Sequence, residues 1–244
     1  MSVTRRYRDA WEDFWSEAPD APRAVFWDAE PALTAGRHLA LFEPHLTDPG
    51  LPMVDLGCGN GTQTRYLADR FAHVVGADLS AAALDRARRA DPAGQATYRQ
   101  VDAADKTEVQ TLHAELGDAN VYLRGVLHQC DAEDRQPVAE GLAALLGERG
   151  RAFLVEPSEA AEPVLASLVE DPDGPPSKLA PVLRHGIAPG TLVDAALPEQ
   201  LRAAGLAVLR QGELPLVTTE YRPDGTRIEL PALWLVAGRA GGAG

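Results

Sequence analysis

Val54-Asp55-Leu56-Gly57-Cys58-Gly59-Asn60-Gly61-Thr62 decides how this 244-residue chain is read. The apolar run Leu51 to Leu56 reads as a short buried strand, Gly57 to Gly61 as a turn, and Thr62 to Arg70 as a helix. Glycines permit the sharp turn and leave room for close approach to the main chain. Working outward, the same unit recurs. Upstream, a helix runs from a Thr34 cap to about His45. Downstream, strands are expected at 73–77, 97–101, 121–123 and 152–155, separated by helices at 80–90 (capped by Ser80), 106–116 and 132–146 (ended by Gly147). Short apolar strands alternating with helices specify βαβ units and a parallel sheet covered on both faces.

The alternation stops after Glu156-Pro157. Residues 158–196 are rich in proline and acid and read as an insertion, 198–204 as one more helix. Leu206 to Leu216 and Ile228 to Val236 read as two strands joined through the turn Arg222-Pro223-Asp224-Gly225. A hairpin cannot be parallel, so one closing strand runs against the rest. Residues 1–33 stand apart, with Trp11, Trp15, Trp27, Phe14 and Phe26 punctuated by Pro19, Pro22 and Pro31. Tyr7, Trp11, Phe14 and Trp15 share one helix face, which serves either a helix packed on the domain or an aromatic lid over a ligand. The expected organisation is a single domain (1–244) with a lid at 1–33, a ligand-binding core at 34–157, an insertion capping the substrate at 158–196, and a closing helix and hairpin at 197–240.

Charge excludes several classes of partner. Lys and Arg number 23 against 36 Asp and Glu, a net charge of −13 that repels phosphate backbones and anionic membranes. The 45% apolar and 24% charged content is that of a globular chain. Cys58 and Cys130 are far apart and in no CxxC spacing, which excludes a disulfide framework and a cysteine-rich zinc site. The longest nearly apolar run, Leu230 to Ala237, falls short of the roughly 20 residues that span a bilayer. No apolar segment follows the basic start Met-Ser-Val-Thr-Arg-Arg-Tyr-Arg. A cytoplasmic protein that binds neither nucleic acid nor membrane is expected. Abundant Ala, Arg, Gly and Pro with few Lys is associated with GC-rich bacterial genomes.

Open parallel sheets bind ligands beyond the carboxyl ends of their strands, so the loop after the first strand is where chemistry is expected. A dinucleotide fingerprint requires GxGxxG, but Thr62 holds the sixth position; a P-loop requires a Gly-Lys pair, and no Lys follows. Asp55, two residues before the first glycine, repels a pyrophosphate and suits a ligand with a cationic part. Asp78 stands 21 residues after Gly57, near the usual distance for an acid that grips ribose hydroxyls. This combination resembles the class I S-adenosylmethionine-dependent methyltransferases of small-molecule and natural-product type, whose first motif is an apolar strand, an acid and GxGxG. The resemblance covers residues 50–157 and, more loosely, the closing hairpin. It implies an α/β Rossmann-like three-layer sandwich, with a mostly parallel seven-stranded sheet and an antiparallel C-terminal hairpin strand. It also implies S-adenosyl-L-methionine as cofactor, S-adenosyl-L-homocysteine as product, and no metal. By the same resemblance Asp55 and the Gly57 backbone hold the aminocarboxypropyl end, with Cys58 and Gly59 completing the loop. Asp78 takes the ribose diol and Leu79 packs beside the adenine. Asp102 takes the exocyclic amine, the Ala103 amide meets a ring nitrogen, and the backbone near Arg124 receives the ammonium group.

Methyl transfer from an activated sulfonium asks mainly for positioning and exclusion of water. An acceptor that loses a proton needs a base as well. His128, after the fourth strand, and Glu156, ending the fifth, are the catalytic candidates; each also has a structural reading, as a helix brace and a strand-end acid. Trp11, Trp15, Trp27 and His185 are candidate substrate contacts. Arg124 has two open roles, pairing with an acceptor carboxylate or forming a structural ion pair. The expected function is methyl transfer (EC 2.1.1.-) to an O, N or S atom of a small molecule or peptide-derived metabolite of bacterial secondary metabolism, by a monomer or homodimer. The alternative is a protein that binds the cofactor without transferring methyl, cyclase-like or regulatory.

Overall fold

The strand before the glycine loop, β1 (Met53–Leu56), lies between β2 (Val74–Asp78) and β4 (Asn120–Arg124) in the computed structural model, which describes residues 3–187 and 194–240. With β3 (Thr97–Gln100), β5 (Arg151–Pro157), β6 (Ala207–Glu213) and β9 (Ala232–Gly238) they form one sheet, ordered β3-β2-β1-β4-β5-β9-β6. The pairings from β3 through β5 are parallel, whereas β9 runs antiparallel to both of its neighbours. The chain leaves β1 toward β2 and β3, then returns to place β4 on the other side. This reversal makes the carboxyl ends of β1 and β4 the switch point, where open sheets take their ligands.

Strand residues alternate between faces, so each strand feeds two apolar layers. Val54, Leu56, Val121, Leu123 and Leu154 pack against Leu112 of α5 (Lys106–Leu116), Leu142 of α6 (Ala132–Leu146) and Leu201 of α9 (Ala196–Ala203). On the other face Met53, Tyr122, Phe153 and Val155 meet Leu39 and Phe42 of α2 (Ala35–Phe42), Leu67 of α3 (Thr62–Ala68) and Leu84 of α4 (Ala81–Ala90). The Ser80 hydroxyl accepts from the Ala83 amide, capping α4 as its sequence indicates. Thr34 precedes α2 without capping it. Its hydroxyl donates to Gln63 Oε1 (2.6 Å), fastening the start of α2 to α3.

The closing segment differs from a single long hairpin. The turn at 222–225 closes a separate two-stranded sheet, β7 (Leu216–Tyr221) with β8 (Arg227–Leu230), and β9 then enters the main sheet between β5 and β6. The small sheet has its own apolar face to cover. Leu216, Val217, Ile228 and Leu230 are buried, and the Thr219 amide donates to the Phe26 carbonyl of the N-terminal segment.

That N-terminal segment packs closely on the domain. In α1 (Val3–Glu17), Phe14 and Trp15 are each 3% exposed, and Val25 and Phe26 join them in the same apolar cluster. Glu12 accepts from the Ser80 hydroxyl and the Ala82 amide at the start of α4, and Arg86 donates to the Trp15 carbonyl. The insertion contributes α7 (Ala161–Val169) and α8 (Ala180–Arg184), with Leu179, Val182 and Ile187 buried in that cluster. Among the described residues no helix is long and apolar enough to cross a membrane.

Candidate active site

Every side of one cavity over the switch point comes from a different part of the chain. Its floor is the glycine loop and the ends of β1, β2 and β4. Its roof is α1, and its far walls are the insertion and the β7–β8 sheet. Gly59 has φ +53°, and a Cβ there would lie 2.8 Å from Cζ2 of Trp15, so only glycine lets the α1 indole lie this close over the loop.

Two buried carboxylates face this space. Asp55, 3% exposed, accepts from the Thr64 hydroxyl (2.6 Å). Burial pushes its carboxyl up to about 7, aided by the nearby Asp78 and opposed by Thr64 and Arg124. Asp78 accepts from the Gly59 amide (2.8 Å) and the Ser80 amide (2.9 Å), which ties the loop to β2. Burial outweighs these donors and raises its carboxyl too. Among the described residues neither acid has a cationic partner within ion-pairing distance, so the lone pairs that Thr64, Gly59 and Ser80 leave unused can serve a positively charged or hydroxyl-bearing ligand. Leu79, Val101 and Ala103 supply an apolar wall beside them.

A hydrogen-bonded chain borders the same cavity beyond β4. Glu156, 1% exposed, accepts from the Val126, Leu127 and His128 amides and holds His128 Nδ1 at 2.7 Å. The buried carboxylate is an acceptor, so the imidazole proton sits on Nδ1 and Nε2 carries the lone pair. Gln129 Nε2 donates to that nitrogen (2.6 Å), while Gln129 Oε1 accepts from the Tyr7 hydroxyl of α1 (2.6 Å).

Residues 53–150 match the family described as "Methyltransferase domain". A solved S-adenosylmethionine-dependent methyltransferase from Anabaena variabilis is 33% identical over 96% of this chain and 95% of its own, with a TM-score of 0.89. The chain belongs to the class I S-adenosylmethionine-dependent methyltransferases. An uncharacterized methyltransferase of Synechocystis is 35% identical over 112 residues, 44% of this chain and 48% of that relative, so the match spans about half of the relative's length. A structure concerned with conversion of a disulfide bond into a thioacetal group during echinomycin biosynthesis shares the fold. Its TM-score is 0.69 at 21% identity, with coverage of 97% of this chain and 94% of its own.

S-adenosylmethionine, the cofactor of this methyltransferase family, carries an ammonium group, a sulfonium and a ribose diol. The paired acids Asp55 and Asp78, without ion-pair partners among the described residues and buried beside an apolar slot, fit such a group by hydrogen-bonding capacity, and a cationic group would draw both toward their charged forms. Among the described residues no cluster of three or more His, Cys, Asp or Glu side chains is placed to hold a metal ion.

The cavity gathers most of the residues expected from sequence: Asp55, Gly57, Cys58, Gly59, Asp78 and Leu79 on the cofactor side, then Ala103, Arg124 and His128, with Trp11, Trp15 and Trp27 above. Burial raises the Cys58 thiol, so it packs as an uncharged side chain. Three expected residues lie elsewhere. Asp102 accepts from Arg8 Nη2 of α1 (3.1 Å) and from the Ala104 amide, so an adenine amine reaching it has to share it with Arg8. Glu156 is sealed behind the 126–128 turn, is not among the residues lining the cavity, and contacts His128 Nδ1 from behind. His185 contacts Glu17 through Nε2 (3.1 Å) and packs edge-on to Phe14, fastening the insertion to α1 outside the cavity. Tyr7, on the helix face read as a possible lid, lines the cavity, and sequence reasoning missed Asp28, Gln63, Tyr122 and Gln129, which line it too. Gln129 adjoins His128 and Asp28 adjoins Trp27, but no motif marks either pair.

Proposed function

We propose that this methyltransferase acts on an O, N or S nucleophile of a small molecule or peptide-derived metabolite, with His128 as the general base. The observation that carries the reading is the oriented imidazole, Glu156 on Nδ1 and a lone pair on Nε2, at the wall of a cavity whose other side is the cofactor loop. S-adenosylmethionine, when bound, supplies a methyl group already activated by its sulfonium.

The chain's own residues do the rest. Asp55 and the glycine loop would hold the aminocarboxypropyl end, and Asp78 the ribose. Trp11, Trp15 and Trp27 roof the space and exclude water, which otherwise solvates the nucleophile. His128 Nε2 takes the proton of the acceptor once the acceptor displaces the Gln129 amide; Glu156 stabilises the resulting imidazolium without leaving its three backbone donors. In-line alignment of nucleophile and methyl supplies the larger share of the acceleration. A cytoplasmic enzyme of bacterial secondary metabolism, in the EC 2.1.1.- class, completes the reading.

The test is to identify ligand that co-purifies with the chain by mass spectrometry, then screen oxygen, nitrogen and sulfur nucleophiles for S-adenosylhomocysteine formation. Turnover with at least one acceptor, lost in His128→Ala, is the expected result. Tight cofactor binding with no S-adenosylhomocysteine from any acceptor would favour a cofactor-binding protein that transfers no methyl.

A further inference from the structure

Arg124 is the one cationic side chain among the described residues that line the cavity. It follows Tyr122 by two positions on β4 and so projects on the same sheet face, the face covered by α1, the insertion and the β7–β8 sheet. Its Nη2 donates to the Trp27 carbonyl (2.8 Å), while its Nε is buried and has no hydrogen-bond partner. Among the described residues no carboxylate lies within ion-pairing distance of it, so the structural ion pair open from sequence is not formed. Its charge reaches its neighbours: burial first, then Arg124, holds buried His38 down at about 3, and Arg124 also favours the charged form of Asp55, which lies beyond ion-pairing distance.

A half-buried guanidinium without a counter-ion is costly unless something supplies one. The cavity beyond it is apolar, walled by Leu165 and Val182 of the insertion and by Leu216 and Leu230 of the small sheet. Asp55 and Asp78 are assigned under the proposed function to the cationic cofactor, and Asp28 accepts from the Asn60 side-chain amide (2.9 Å). We infer that Arg124 is the specificity-determining residue for the acceptor, which has an apolar body and one anionic group, a carboxylate, seated on the Arg124 guanidinium. A carboxylate matches the planar donor fork in two parallel hydrogen bonds and neutralises the charge. The inference rests on reading this cavity as the acceptor chamber of a methyltransferase.

The probes are octanoate, octanol and octylamine, which share one apolar body and differ in charge. Binding is read by quenching of the tryptophans in the cavity roof, with and without saturating S-adenosylhomocysteine. Octanoate should bind at least about tenfold tighter than either of the others. Arg124→Gln should abolish that preference, and Arg124→Lys, which keeps the charge and loses the fork, should retain part of it. S-adenosylhomocysteine affinity, measured by calorimetry, should change by less than the octanoate preference does in both variants, the remaining effect passing through Asp55, whose charge Arg124 favours. Equal binding of the three probes to the native chain overturns the assignment. So does a fall in S-adenosylhomocysteine affinity in Arg124→Gln with octanoate preference intact, because the arginine then serves the cofactor. Failure of the native chain to bind S-adenosylhomocysteine would count against the methyltransferase reading, whereas the titrations without it judge Arg124 independently.

Discussion

His128 Nδ1 lies 2.7 Å from Glu156 Oε2, and the same carboxylate accepts three consecutive backbone amides, of Val126, Leu127 and His128. One buried acid at the end of β5 therefore sets both the path of the turn after β4 and the tautomer of its histidine. The two functions separate on mutation. We predict that Glu156→Gln, which keeps the shape but presents an NH2 to these donors, lowers kcat and leaves cofactor affinity nearly intact. Glu156→Ala leaves buried donors without an acceptor, at about 1–3 kcal/mol each where water does not enter. It should lower the thermal midpoint clearly more than the Gln variant does. Equal midpoints and full turnover in both would remove Glu156 from any positioning role.

We predict that His128→Ala reduces turnover by about 10²- to 10⁴-fold, the range of general base catalysis, with calorimetric affinity for S-adenosylhomocysteine preserved. Undiminished turnover in the variant would mean that alignment alone accelerates the reaction.

Asp55 predicts a pH dependence of two kinds. Its folded value of about 7 lies above that of an ordinary carboxyl, so between about pH 4 and 7 the ligand-free folded chain holds a proton that the unfolded chain has released. Its contribution to stability is fully present in acid, declines as pH rises through that window and levels off above it. A cationic ligand group reverses the preference, so cofactor binding at pH 6 should release a proton. Calorimetry in buffers of different ionisation enthalpy measures that release, and Asp55→Asn should eliminate it. A native protein that binds cofactor at pH 6 with no proton release would show that Asp55 does not face the ligand's charge.

Removing the aromatic roof should cost stability as well as activity. Trp15 is 3% exposed and packs on Gly59, so Trp15→Ala removes a buried indole, a change worth about 3–5 kcal/mol in packed sites. Gly59→Ala, at φ +53° with Trp15 in the way, should destabilise the loop and weaken cofactor binding together. Deleting residues 1–30 also uncovers the buried face of β7, where the Thr219 amide and hydroxyl lose their N-terminal partners. Thermal denaturation and dye binding to exposed apolar surface check these outcomes. An undisturbed midpoint in the deletion would restore the view of the segment as a freely removable lid.

The strand, the glycine turn and the helix at 51–70 are legible in the sequence because each rests on local chemistry: an apolar run, positive-φ glycines and a helical period. The Ser80 cap and the Gly147 stop are local in the same sense. The closing hairpin is only half legible. The turn at 222–225 is real, but a turn signature says nothing about which strands it joins, and Leu216 to Leu230 folds onto the N-terminal segment instead of the main sheet.

By itself the sequence determined the family and pointed to the two acids beside the glycine loop, because those residues fall within one βαβ stretch whose spacing is imposed by the backbone. Tertiary structure alone decided the rest of the site. Arg8 meets Asp102, Tyr7 meets Gln129 and Glu156 meets His128 across separations of 94, 122 and 28 residues. The missing ion pair of Arg124 is equally invisible along the chain. Whether a buried charge is neutralised depends on which side chains the packing of distant elements brings within about 4 Å, and no local pattern records that.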